Sequence, residues 1–63
     1  MTQKELLYVE DAIGHEGNII SILEDSINNL SDNELVNFLK SELKKHESQK
    51  EKLMNKLEEL ANE

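Results

Sequence analysis

The chain contains no cysteine, no proline and no tryptophan, and only two glycines, one tyrosine and one phenylalanine. Without cysteine there is neither a disulfide nor a thiolate metal site. The near absence of aromatics excludes the composition of a sandwich or barrel, and the abundance of Leu, Ile, Glu, Lys and Asn is that of helices. Arginine is missing as well: all seven cations are lysines, set against fourteen acids, for a net charge of −7. Such a surface repels the phosphates of nucleic acid and the headgroups of an anionic membrane. Apolar runs stop at stretches as short as Leu6–Val9, so a membrane span and a secretory signal are not expected, and the cytoplasm is the default compartment.

A chain of 63 residues is one domain at most. Domains this small seldom bury enough apolar surface to stand alone. With disulfides excluded, the available supports are self-association and a metal held by histidine and carboxylate.

Two helix starts are legible. Thr2-Gln3-Lys4-Glu5 has the form of a capping box, in which a hydroxyl accepts from the third amide and the glutamate reaches back. Ser31-Asp32-Asn33-Glu34 repeats it, with Leu30 and Leu35 placed as a hydrophobic staple. Asn28 and Asn29 precede it and tolerate the left-handed conformation that often ends helices. The reading is a helix over about residues 3–29, a turn over about 29–32 and a helix over about 32–61. So short a connection allows only an antiparallel hairpin. Glu58, Glu59 and Glu63 sit at the unfavourable end of the second helix's dipole, which favours fraying there.

Apolar residues recur at three- and four-residue spacing on both segments. The first carries Leu6, Val9, Ile13, Ile20, Leu23, Ile27 and Leu30; the second carries Val36, Leu39, Leu43, Leu53, Leu57 and Leu60. This heptad pattern marks the seam of a left-handed bundle. It is interrupted at Glu16, His46 and Lys50. Folding about Leu30–Ser31 pairs positions whose numbers add to 62 or 63, so Ile27 meets Val36, Leu23 meets Leu39, Ile20 meets Leu43 and Glu16 meets His46. Ile13 then meets Lys50, Val9 meets Leu53 and Leu6 meets Leu57. Of these layers only Glu16–His46 has no aliphatic member. A second stripe on the first segment, Tyr8, Ala12, His15, Ile19 and Ile22, makes its apolar face wider than a two-helix seam requires. The fold class expected is therefore all-α: an antiparallel helical hairpin that homodimerises into a four-helix bundle.

Three readings fit the polar layer. Glu16 and His46 can pair, with Lys50 nearby, and fix register and oligomeric state. Two copies can instead meet at a dimer axis, where two imidazoles and two carboxylates suit a divalent Zn, Fe or Mn ion. In that case His15, Glu42 and Glu47 are the supplementary or orienting residues. Or the layer is partly solvated and does little. Gly14 and Gly17 flank His15-Glu16 inside a helix, where each costs about 1 kcal/mol relative to alanine. Their missing side chains suggest a close helix approach or a ligand beside Glu16. Other chemistry is excluded. No glycine-rich phosphate loop is present, Ile19 stands where a metalloprotease HExxH would need histidine, and no serine has a credible base.

The run Leu7-Tyr8-Val9-Glu10-Asp11-Ala12-Ile13-Gly14-His15-Glu16, then Ser31-Asp32-Asn33-Glu34-Leu35 and Leu43-Lys44-Lys45-His46, resembles the ferritin-like hairpins of the spore coat protein F type. The resemblance spans about residues 5–50. It implies a structural or assembly role, spore association, and a half-site made of Glu16 and His46. The superfamily's ExxH pair would need glutamate at Leu43, so the resemblance does not extend to a dinuclear iron site. The small sporulation aspartyl-phosphate phosphatases are also acidic helical hairpins. Their Ser-Gln-x-Leu-Asp signature is met here only by Ser48-Gln49, which Lys50-Glu51-Lys52 follows. The expectation is a structural or assembly protein rather than an enzyme, with a phosphatase hairpin of that kind or a regulatory protein-binding coiled-coil module as the alternatives.

Overall fold

In the computed structural model, which describes residues 1–62, two helices lie antiparallel. α1 spans Gln3–Asn29 and α2 spans Asn33–Ala61. Glu63 lies outside the described residues, so its part in the expected fraying is not addressed; α2 itself continues through Glu58 and Glu59, and the Asn62 N–H closes on the Glu58 carbonyl at 3.2 Å.

The first cap forms as the sequence implies. The Glu5 N–H donates to the Thr2 hydroxyl at 3.1 Å, and the Thr2 N–H donates to the Glu5 carboxylate at 2.8 Å. The bond from the Thr2 backbone, and then that with its side chain, holds the Glu5 carboxyl below its usual range. A lowered pKa in the folded chain means that the cap stabilises above the ordinary carboxylate range and is lost as the pH falls through it.

The second start is displaced by one residue from the sequence reading. Asp32, not Ser31, is the N-cap, and its carboxylate accepts from the Leu35 N–H at 2.9 Å. The helix therefore begins at Asn33 rather than about residue 32, and Glu34 falls at the second helical position, where it cannot close a box. Nor does α1 end in a left-handed residue: no described non-glycine residue has positive φ. Leu30 leaves the helix in an extended conformation at φ −103°, and the Asn29 side-chain amide donates back to the Asp25 carbonyl at 2.7 Å. Losing a side-chain cap costs about 1 kcal/mol. Asp32→Ala will therefore lower thermal stability by that amount, whereas Ser31→Ala will leave it within a few tenths, as paired melting curves will show.

The packing follows the seam. On α1 the half-buried positions include Leu6, Val9, Ile13, Glu16, Ile20, Leu23 and Ile27; on α2 they are Val36, Leu39, Glu42, Leu43, His46, Lys50, Leu53, Leu57 and Leu60. No described side chain is buried. The molecule is a rod of 47 × 15 × 11 Å with a radius of gyration of 14.6 Å, where a globular domain of this length has about 11 Å. Its accessible surface is 4992 Å² for 7.3 kDa, and a globular protein of that mass exposes about 4,200 Å². The excess, about 800 Å², equals one partner's share of a standard protein–protein interface.

Candidate functional site

The seam brings the two interruptions together. His46 Nδ1 lies 2.6 Å from Glu16 Oε2, joining residues thirty positions apart. A carboxylate can only accept, so Nδ1 carries the shared proton. The carboxylate side chain retains 16% of its exposure and the imidazole 30%. Each group thus answers the other's polarity in a part-sheltered layer, and no buried side-chain nitrogen or oxygen among the described residues lacks a partner.

The supplementary residues do not join them. Glu42 is drawn to Lys45, with 3.3 Å between carboxylate and ammonium. Glu47 lines a groove on the opposite side of the hairpin, beside Lys50 and Glu51. His15 is exposed. Leu43 falls in the aliphatic layer predicted for it, half-buried. Among the described residues no three His, Cys, Asp or Glu side chains are grouped as metal ligands. One chain therefore supplies two donors that already bond to each other, which does not amount to a metal site; four donors would require a second copy.

Antiparallel pairing sorts the remaining surface into two sides. Residues that directly precede a seam position lie on one side in both helices, and residues that directly follow one lie on the other. The preceding set on α1 is the second stripe. There Tyr8 and Ile22 are each 63% exposed and Ile19 is 36% exposed. The matching set on α2 begins with Leu35 and Phe38, 43% and 59% exposed. Phe38 was not singled out in the sequence, and Leu35 only as half of a staple with Leu30, although the signal is simple: Leu35 and Phe38 stand one residue before Val36 and Leu39, as Ile19 and Ile22 stand one before Ile20 and Leu23. Charges on this side balance, with Glu5, Glu42 and Glu59 against Lys45, Lys52 and Lys56. Two of those pairs are made directly, Glu42 with Lys45 and Glu59 with Lys56 at 3.7 Å.

The following set differs. It holds both glycines. A Cβ at Gly14 would meet nothing within 4 Å, and one at Gly17 would meet only the Lys50 ammonium, at 3.6 Å. No second helix of the same chain comes close at Gly14, so the expected close approach is not made within the hairpin. Glu10, Glu24, Glu47, Glu51 and Glu58 also lie on this side, against Lys40 and Lys44, so it is acidic where the other is neutral.

No protein-family model matches the chain, and neither a comparison with curated proteins nor one with solved structures finds a match.

Proposed function

We propose that this protein is a non-catalytic assembly module that works as a homodimer, two hairpins forming an antiparallel four-helix bundle through the neutral, apolar side. The observation that carries this reading is the lack of any buried described side chain beside an exposed stripe of Tyr8, Ile19, Ile22, Leu35 and Phe38. A second copy supplies the same stripe and no net charge against it, so pairing removes apolar area from water at about 25 cal/mol per Å² without a Coulombic penalty. Glu16 and His46 lie at seam positions that border this side, where their hydrogen bond fixes the pairing level. That is the established use of a lone polar layer in a bundle. A bundle of this kind is ferritin-like in architecture, and a structural role in a spore coat is the setting that the sequence resemblance suggests. Sedimentation equilibrium tests the assembly directly: the expected mass is twice 7.3 kDa at micromolar concentration. A single 7.3 kDa species that remains fully helical there would overturn the proposal.

The proximity of one imidazole nitrogen and one carboxylate oxygen favours a second reading, in which the dimer gathers two such pairs around Zn, Fe or Mn. Ligand linkage separates the two. If the layer is a register device, saturating zinc leaves the melting temperature unchanged. If it is a metal centre, zinc raises the melting temperature and His46→Ala removes the rise.

A further inference from the structure

The side of the hairpin that self-association leaves free has a shape and a charge of its own. Ile13, Met54 and Leu57 line an apolar groove bordered by Glu10 and Glu58. Past Met54 it continues along Ile20, Lys50 and Asn55, bordered by Glu47 and Glu51. The two segments are shallow and open to solvent, hold about 340 and 360 Å³ and share Met54, which is 51% exposed. Beside the groove on α1, Gly14 and Gly17 follow Glu10 at one-turn intervals; the space over Gly14 is open and that over Gly17 holds the Lys50 ammonium. From Glu47 to Glu58 the α2 wall runs about 16 Å, or three helical turns.

From these features we propose that the groove is a docking site for a cationic amphipathic helix of another protein, about three turns long. The helix would lay an apolar stripe at i, i+3 or i+4 and i+7 on Ile13, Met54 and Leu57 and set its lysines or arginines against the four glutamates. At Gly14 the missing side chain lets the incoming backbone come closer to α1 than a larger residue would allow; at Gly17 the Lys50 ammonium already takes that space. None of Glu10, Glu47, Glu51 and Glu58 is engaged in an ion pair among the described residues. A second copy of the chain is a poor occupant. Lys40 and Lys44 of the same side lie nearer the turn, beyond the groove. A two-fold contact centred on this groove would set four glutamates of one copy beside the same four of its partner, and like charges juxtaposed at an interface disfavour pairing. Phosphate-bearing partners are repelled for the same reason. Lys50 stands in the Ile20 end of the groove, so the cationic end of the incoming helix lies over Glu51 and Glu58.

The probe is a fluorescein-labelled twelve-residue helical peptide with leucines at i, i+4 and i+7 and lysines elsewhere. Its control is a scrambled peptide of the same composition, and binding to the full chain is followed by anisotropy at 150 mM salt. The patterned peptide is expected to bind at least tenfold more tightly than the scramble. Gly14→Leu should weaken it tenfold or more while raising the melting temperature, because the new side chain projects into the approach beside the groove without meeting anything in the hairpin and removes a helix-interior glycine. Glu51→Lys with Glu58→Lys should weaken it to a similar degree. The sedimentation mass should stay the same in every variant, so failure here is distinguishable from failure of the self-association reading. Equal binding of patterned and scrambled peptides, no measurable binding of either, or undiminished binding to Gly14→Leu would each overturn the proposal. So would a change in oligomeric mass on Glu51→Lys with Glu58→Lys, which would make this side the self-association surface.

Discussion

Replacing Ile22 and Phe38 together with lysine will turn the proposed helical dimer into a largely unfolded chain. In the isolated hairpin the two side chains are 63% and 59% exposed, so nothing within the chain opposes the change. A hairpin that was stable by itself would tolerate both substitutions, and surface changes of this kind normally fall within about 0.5 kcal/mol. In the proposed bundle the same positions lie between protomers. Each apolar side chain buried there contributes about 1.5–3 kcal/mol. A dimer contains two copies of both, and each lysine brings a charge that must be desolvated or expelled. Two chains of this length together have only about 6–19 kcal/mol of stability, at about 0.05–0.15 kcal/mol per residue, and the four side chains alone account for about 6–12 kcal/mol, so with four lysines to desolvate the loss approaches the whole reserve. Circular dichroism at micromolar concentration will register the collapse of helicity, and sedimentation will register the loss of the dimer. Asn18→Lys with Ser48→Lys, both exposed and away from the seam, is the control that must change neither. Wild-type melting should also depend on concentration. Tenfold dilution removes about 1.4 kcal/mol from a dimer, or about 5 °C for a folded unit of this size. A melting temperature independent of concentration, or a double-lysine variant that keeps its helicity, would sink the assembly reading.

Much of this fold could be read from the sequence because a single constraint repeats along it. The seam residues recur every three or four positions from Leu6 to Leu60, and the turn at Leu30–Ser31 is too short to permit more than one pairing. The encounter of Glu16 with His46 followed from that arithmetic, as did the half-burial of Lys50. What the sequence left undecided was local chemistry in which alternatives have similar energies. Serine and aspartate cap helices about equally well, so the order Ser31-Asp32 does not say which will do so; the extended exit at Leu30 carries the chain one residue further, and Asp32 takes the bond. The two asparagines allow a left-handed ending without requiring it, and Asn29 bonds to Asp25 instead. The division into a neutral side and an acidic one lay hidden for another reason. In a list of residues Phe38 and Ile22 are unrelated, and so are Gly14 and Glu51. Only antiparallel pairing places the residues before each seam position together, and those after it opposite them. The glycines then have a location as well as a cost: both belong to the acidic side, away from the exposed apolar stripe.

Substituting Glu16 and His46 singly and together will separate a register pair from a solvated bystander. His46→Leu leaves a carboxylate, 16% exposed, facing a leucine. The group loses a partner at 2.6 Å and cannot regain full hydration, and an unsatisfied sheltered polar group costs about 1–3 kcal/mol. Glu16→Leu should cost less, because the imidazole is 30% exposed and keeps more contact with water. The double variant makes this layer aliphatic, like Ile20 with Leu43 one step away, and should match or exceed the wild type in stability, as replacement of buried ion pairs by apolar residues often does. The thermodynamic cycle should therefore close with a coupling of about 1–3 kcal/mol. Losses that simply add would mean that the hydrogen bond contributes nothing net and that water serves both groups equally well. The double variant also tests what the layer is for. With every layer aliphatic or lysine-containing, a slide of one helix past the other by a heptad no longer breaks a polar contact. The species distribution in sedimentation should broaden beyond a single dimer even as the melting temperature holds or rises. A double variant that is both more stable and strictly dimeric would assign the choice of register to the short turn and the Asp32 cap, and would leave Glu16 and His46 without a structural reason to occupy the seam.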